Sequence, residues 1–422
     1  MKHVDVLVIG AGPSGTVAAS HLANQGYSVM IVERQKFPRL VVGESLLPLS
    51  MGHFEEVGLL PALDTMDFEV KAGAKFIRGE DCFHLSFQEN YTEGWTWTWQ
   101  VPRADFDKTL ADATERKGVE IRYENSLTGI RFNPENVSVE VTDKTGNEET
   151  VKCKYVIDSS GNGGVLAQML EIPTRVSDTG RMAVFTHVND TTRAEHPEPM
   201  QISFDILEVD LWFWVIPFSN GTTSIGMVGN KKYFSEFEHL SVEYALRIMI
   251  QRSARFRNRF GAMPFSFTPN VIKDYTRATE RFIGDRFVLT GNCAEFLDPV
   301  FSSGVAFATE SGLTAAKLVD RHLKGEKVDW QKEYADHMQQ GITVFRSYVN
   351  EWYTGNLQRI FFHPYVNYKF KTMITSVLAG YVWDMNNPFV TRHSHIIETL
   401  AKVVTIEDEA VCRLAEAAAV ED

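Results

Sequence analysis

Three glycines at positions 10, 12 and 15 form a G-x-G-x-x-G within Gly10-Ala-Gly12-Pro-Ser14-Gly15. An apolar run over residues 4–9 precedes them and a helical pattern over 14–25 follows. The chemistry that this spacing serves is dinucleotide binding. Gly10 permits the tight turn, Gly12 lets a pyrophosphate approach the main chain, and Gly15 lets helix and strand pack closely. Ser14 stands at the opening of the helix, whose N-terminus offers free N–H groups and positive potential to phosphates. Glu33 closes a second strand, 28–33, at the spacing where an acid accepts hydrogen bonds from ribose hydroxyls. Strand, helix, second strand and terminal acid together predict a dinucleotide, without separating NAD from FAD.

Later segments favour FAD. VIDSSG (156–161) places Asp158 at another strand end. GDRFVLTGNCAEFLDP (284–299) resembles the second flavin motif of the p-hydroxybenzoate hydroxylase and geranylgeranyl reductase superfamily. That motif normally carries Gly-Asp, whose acid contacts the ribityl chain. Here it reads Gly291-Asn292, which keeps a hydrogen bond and removes a charge. Arg103, followed by Phe106-Asp107, resembles a third element of the superfamily near the flavin. The alternative for Arg103 is a surface arginine at a helix start.

Three further features carry a narrower resemblance. The first is Trp212-Phe-Trp214-Val-Ile216-Pro217, a W-x-W-x-I-P; WTWQVP at 97–102 matches it almost as well, but PFSNGTTSIGMV follows only the later copy. The second is Lys71 in VKAGAKF, after the GES of Gly43, Glu44 and Ser45, with Lys75 as the runner-up on the same strand face. The third is Asp298-Pro299-Val-Phe-Ser-Ser303-Gly304, opening a helix at 304. With these, residues 3 to about 350 resemble the flavin-dependent halogenases, in particular their phenol- and pyrrole-halogenating branch. The resemblance implies that Trp212, Trp214, Ile216 and Pro217 keep organic substrate away from the flavin. It implies that Lys71 receives hypohalous acid and that the N–H groups of Ser303 and Gly304 hold halide. Gly10, Gly12, Ser14, Gly15, Glu33, Glu44, Ser45, Arg103, Asp158, Gly291, Asn292, Asp298 and Pro299 then form the cofactor site. One residue departs: tryptophan halogenases carry a Glu before S-T-G, and this chain has Phe301, which points to a more electron-rich ring.

The implied activity is FADH2-dependent halogenation of a phenol or pyrrole, free or carrier-bound, through a flavin hydroperoxide and hypohalous acid. Chloride or bromide is the halide. The absence of a second G-x-G-x-x-G implies a separate flavin reductase. An FAD-dependent aromatic monooxygenase, a geranylgeranyl-reductase-like saturase and a non-catalytic flavin-binding protein remain as other readings.

The elements that must position these residues can also be read. A helix is expected near 47–58 and another at 104–117. Residues 68–76 and 95–101 alternate as strands with two different faces. Residues 180–230 read as strands, 234–251 as a helix, 287–291 as a late strand, 304–323 as a helix, and the tail from about 330 as mostly helical. The expected fold is α/β: a Rossmann-like FAD-binding domain from 1–65, 103–165 and 280–325, an inserted, mostly antiparallel β domain from 66–102 and 166–279, and a helical region at 326–422. Net charge is −13 and no basic run occurs, so nucleic acid is excluded as a partner. Cys82, Cys153, Cys293 and Cys412 show no C-x-x-C, which argues against a disulfide framework or metal site and for a reducing, cytoplasmic setting. No signal peptide or membrane span is expected.

Overall fold

The computed structural model describes residues 1–176, 180–196, 198, 200–273, 276–364 and 367–420, with side chains described up to 407. The glycine-rich segment lies at the centre of a six-stranded sheet. Its strand order is Ile283–Gly284, Phe287–Leu289, Tyr155–Asp158, Val6–Ile9, Val29–Glu33, Glu120–Tyr123. All pairings are parallel except that of Ile283–Gly284. Val6–Ile9 and Val29–Glu33 are buried throughout, which is why their residues run apolar without alternation. The helices Pro13–Asn24 and Gly304–Leu323 touch closely: a Cβ at Gly312 would lie 2.4 Å from the Ser14 carbonyl oxygen.

A seven-stranded sheet follows the order Asn270–Lys273, Arg181–Asn189, Thr222–Asn230, Leu211–Pro217, Ser203–Glu208, Gly73–Arg78, Asp81–Ser86. It is antiparallel apart from the Ser203–Glu208 and Gly73–Arg78 pair. One face packs Phe213, Val215 and Met227 against the amphipathic helix Val242–Gln251. The other turns Phe185, Trp212, Trp214 and Ile216 into the main core. The chain beyond residue 330 is mostly helical, ending in His393–Val420. The fold is α/β, with a flavin-type sheet, a mostly antiparallel second sheet and a helical C-terminal segment. Among the described residues no helix is long and apolar enough to cross a membrane. Cys82, Cys153 and Cys293 are free thiols; the Cys412 side chain lies outside the described residues.

Three expectations are corrected. The alternation over 68–76 is not one strand: it breaks at Ala72 into Glu69–Lys71, paired with Thr98–Gln100, and Gly73–Arg78, which enters the large sheet. Lys71 and Lys75 therefore belong to different sheets. The tryptophan-rich run is a strand only over Thr98–Gln100, all buried because both sides are covered. Trp95, Trp97 and Trp99 meet edge to face instead, with centroids 5.3 and 5.4 Å apart. The 234–251 helix is two, Lys232–Ser235 and Val242–Gln251, because Ser241 caps the second by accepting from the Tyr244 N–H.

Candidate flavin and active site

The glycine loop has the shape of a phosphate cradle. A Cβ at Gly10 would meet the Ser159 carbonyl oxygen at 2.5 Å, and one at Gly15 would meet the Gly10 oxygen at 2.0 Å. Those two positions are closed by the protein itself. At Gly12 the nearest atom is Arg39 Nη2 at 3.6 Å, so the opening lies above Gly12. The helix starting at Pro13 has no side-chain cap, leaving its first N–H groups for a ligand. Arg39 stands over this opening, and its Nε is buried without a partner among the described residues. An open glycine face, uncapped N–H groups and an orphaned guanidinium nitrogen fit the pyrophosphate of FAD. Glu33, at the end of its strand, accepts from the Ala11 and Gln35 N–H groups and keeps capacity for a ribose hydroxyl.

Other proposed cofactor residues have structural work in the fold. The Ser14 hydroxyl donates inward to Thr290 Oγ1 at 2.8 Å, and Ser159 meets the same hydroxyl at 2.6 Å, knotting three motif segments together. Asp158 is fully buried. Its carboxylate accepts from the Ser160 and Leu166 N–H groups and from Cys293 Sγ, so it shapes its loop and does not face a ligand. Arg103 is not a surface arginine: it is buried. It grips Asp107 with Nε and Nη2 at 2.8 and 3.0 Å and donates through Nη1 to the Val42 and Gly43 carbonyls. Its function in the fold is to clamp the loop that carries Glu44 and Ser45. Gly291 has φ +59° and hands its N–H to Ser311 Oγ, while Asn292 is half-buried and donates to Asn162.

The lysine is the most unusual group. Lys71 is 4 % exposed, and its Nζ donates to Ser45 Oγ and the Leu46 carbonyl, both at 2.8 Å. The Phe87 ring lies 5.4 Å from the nitrogen. No carboxylate pairs with it among the described residues. Burial therefore pulls the amine down to about 7, where a neutral form with a free lone pair exists near physiological pH. Ser45 also accepts from Ser302 Oγ at 3.1 Å. Ser302 is left-handed, φ +61°, and the next two residues, Ser303 and Gly304, start the long helix. A continuous hydrogen-bonded chain thus runs from Lys71 through Ser45 to the helix start. Lys75 differs: its Nζ is ion-paired with Glu198 at 2.5 Å.

The strand Leu211–Pro217 lies inside the large sheet with every residue buried. Trp212 and Trp214 share a face with Ile216, Trp214 lying over Gly226, where a Cβ would sit 2.3 Å from the indole. Trp214 donates to Ser224 Oγ at 3.1 Å. The carbonyl of Pro217 accepts from Gln100 Nε2 at 2.5 Å, which ties the strand to the one paired with Lys71. Pro299 opens the short turn capped by Asp298, whose carboxylate accepts from the Val300 N–H.

The chain matches the FAD binding domain family over residues 3–340. A 1H-pyrrole-2-carbonyl-[peptidyl-carrier protein] brominase of Pseudoalteromonas luteoviolacea is 29% identical over 347 residues, covering 79% of this chain and 80% of the relative. The flavin-dependent halogenase armH5 of Armillaria mellea is 30% identical over 346 residues, covering 76% and 65%. A crystal structure of a flavoprotein/dehydrogenase from Cytophaga hutchinsonii superposes with a TM-score of 0.93 at 46% identity, covering 96% of this chain and 100% of that one. The chain belongs to this FAD-binding family, and flavin-dependent halogenases are among the relatives it is similar to.

In this FAD-binding family chain, Phe301 packs edge-on to Phe345 and Trp352, so the position where tryptophan halogenases carry Glu is filled by an aromatic core. Sequence reasoning missed four residues at the site. Arg39 lies in no motif. His187, from the strand Arg181–Asn189, bonds through Nε2 to the buried Glu44 carboxylate at 2.6 Å. Tyr353 and Arg181 meet Asp298. The only signal for Tyr353 was its place in a helical tail, and a lone His, Tyr or Arg far along the chain carries no spacing to read.

Proposed function

We propose that the protein halogenates an electron-rich aromatic, a phenol or a pyrrole, free or carrier-bound, using reduced FAD, oxygen and chloride or bromide. The observation that carries the proposal is the buried, neutral-capable amine of Lys71, linked through Ser45 and Ser302 to a helix start that no side chain caps. Reduced FAD, when bound, supplies with oxygen the oxidising equivalents that turn halide into hypohalous acid. The protein's own residues do the rest. N–H groups of Ser303 and Gly304 hold the halide with the helix dipole behind them. Lys71 takes up the hypohalous acid and presents it to the ring. The buried strand Trp212–Pro217 keeps water and substrate out of the oxidising compartment. The carrier-bound form is supported by the brominase relative, whose substrate sits on a peptidyl-carrier protein. A separate flavin reductase and a cytoplasmic setting belong to the same proposal. The test is halogenated product from a phenol and pyrrole panel. The Cytophaga relative, described as a flavoprotein/dehydrogenase, favours a second reading, an FAD-dependent oxidoreductase that uses no halide.

The lysine also sets a stability signature. Its folded-state pKa, about 7, lies below the usual 10.5 of a lysine amine. The unfolded chain therefore binds the proton more tightly. The cost of burying the charge is fully present below pH 7 and fades as pH rises from 7 to 10.5. Lys71→Met should raise the melting temperature at pH 6 and change it little near pH 10. Equal shifts at both pH values in thermal unfolding would contradict the depressed amine.

A further inference from the structure

Asp298 poses an electrostatic problem. Its carboxylate is 3 % exposed and stands five residues before Ser303, in the same tight turn that leads to the proposed halide position. Buried negative charge repels an anion over many ångströms when little water screens it. Among the described residues, two from outside the flavin motifs meet that charge. Tyr353, last residue of the helix His337–Tyr353, donates its hydroxyl to Asp298 Oδ1 at 3.0 Å. Arg181, first residue of its strand, holds Nη1 3.5 Å from Asp298 Oδ2, and its guanidinium carbon stands over the Tyr353 ring, 3.4 Å from its centre. The direction of the tyrosine bond is fixed by a third group. The Trp212 indole N–H can only donate, and it donates to Tyr353 Oη at 3.1 Å, so the phenolic hydrogen is left for Asp298. Burial and the neighbouring carboxylate hold the Tyr353 hydroxyl well above its usual range, which keeps that hydrogen in place.

We propose that Arg181 and Tyr353 are positioning residues for halide: they hold and offset the Asp298 carboxylate, so that its turn presents Ser303 and Gly304 to an anion. The inference rests on the halogenase reading above. It adds a physical link between the tryptophan strand and the halide turn, running Trp212 to Tyr353 to Asp298 to the Val300 N–H. Tyr353→Phe keeps the ring beneath the guanidinium and removes the hydroxyl that donates to Asp298 and accepts from Trp212. Arg181→Gln removes the cation and its contact with the Tyr353 ring while keeping a polar side chain.

The experiment measures chloride binding to the oxidised, FAD-loaded protein by chloride NMR line broadening, beside the bromide KM and kcat of halogenation. Each variant is expected to weaken chloride binding and raise the bromide KM by about tenfold or more, the size of a lost hydrogen bond or ion pair to a charged group. FAD affinity, read by flavin fluorescence, and kcat at saturating bromide should stay near wild type. In an Asp298→Asn background, Arg181→Gln should lose most of its effect, because the charge it offsets is gone. Wild-type chloride binding in both single variants, no chloride binding in the wild type, or an undiminished Arg181→Gln effect in the Asp298→Asn background would each overturn the inference. If chloride binding responds as expected but no aromatic is halogenated, the halogenase reading fails and the positioning of an anion site stands. Should either single variant fail to load FAD, the other and the Asp298→Asn pair decide.

Discussion

Lys71→Ala is expected to lower halogenated product per FADH2 oxidised by about a hundredfold or more, the scale of losing a positioned proton-transfer or relay group. Oxidation of FADH2 by oxygen should continue at a near-normal rate, because the oxygen chemistry does not touch the amine. The buried position explains why the effect is large. Lys71 has no carboxylate partner among the described residues, and its environment favours the neutral amine. Lys71→Met should give the same loss while keeping the side-chain bulk, which separates the amine from packing. Lys75→Ala is the control: that lysine is ion-paired with Glu198 in another sheet and should leave product yield unchanged. Single-turnover oxidation with product counting reads all three. Wild-type yield from Lys71→Ala would remove the relay.

The second large effect concerns the cofactor. Gly12→Val is expected to weaken FAD binding by about a hundredfold or more, equivalent to roughly 2.7 kcal/mol. The new side chain would occupy the one open side of the cradle, between the uncapped helix start and Arg39. Folding should survive, because no protein backbone lies within contact of a Cβ there, whereas Gly10 and Gly15 face carbonyl oxygens at 2.5 and 2.0 Å. Flavin fluorescence titration with circular dichroism as a folding check measures this. Unchanged FAD affinity would move the pyrophosphate away from Gly12.

The flavin fold was legible because its signals are local. Glycine spacing, uninterrupted apolar strands and the terminal Glu33 all lie within about thirty residues, and strand, helix and strand are local geometry. The helix at 304 was legible for the same reason, and its bounds agree with Gly304–Leu323. The break at Ala72 was not: the apolar and polar residues continue to alternate through it, and only the choice of pairing partner separates the two strands. The clamp made by Arg103 was not legible because sequence cannot show that Asp107, one turn along, and two carbonyls of the 42–43 loop use its donors. The contacts that build the site join residues far apart, Lys71 to Ser45 and Ser302, His187 to Glu44, and Trp212 to Tyr353 and Asp298. Such pairs leave no periodic trace in the chain.

We propose that this protein attaches halogen to a carbon of an electron-rich ring. Mass spectrometry of a panel of phenols and pyrroles, free and on a carrier protein, incubated with the protein, FADH2, oxygen and bromide, tests it most directly. The expected result is a product bearing the paired-isotope pattern of bromine, present with wild-type protein and absent with Lys71→Met. A hydroxylated or desaturated product without bromine, formed equally by wild type and Lys71→Met, would contradict it.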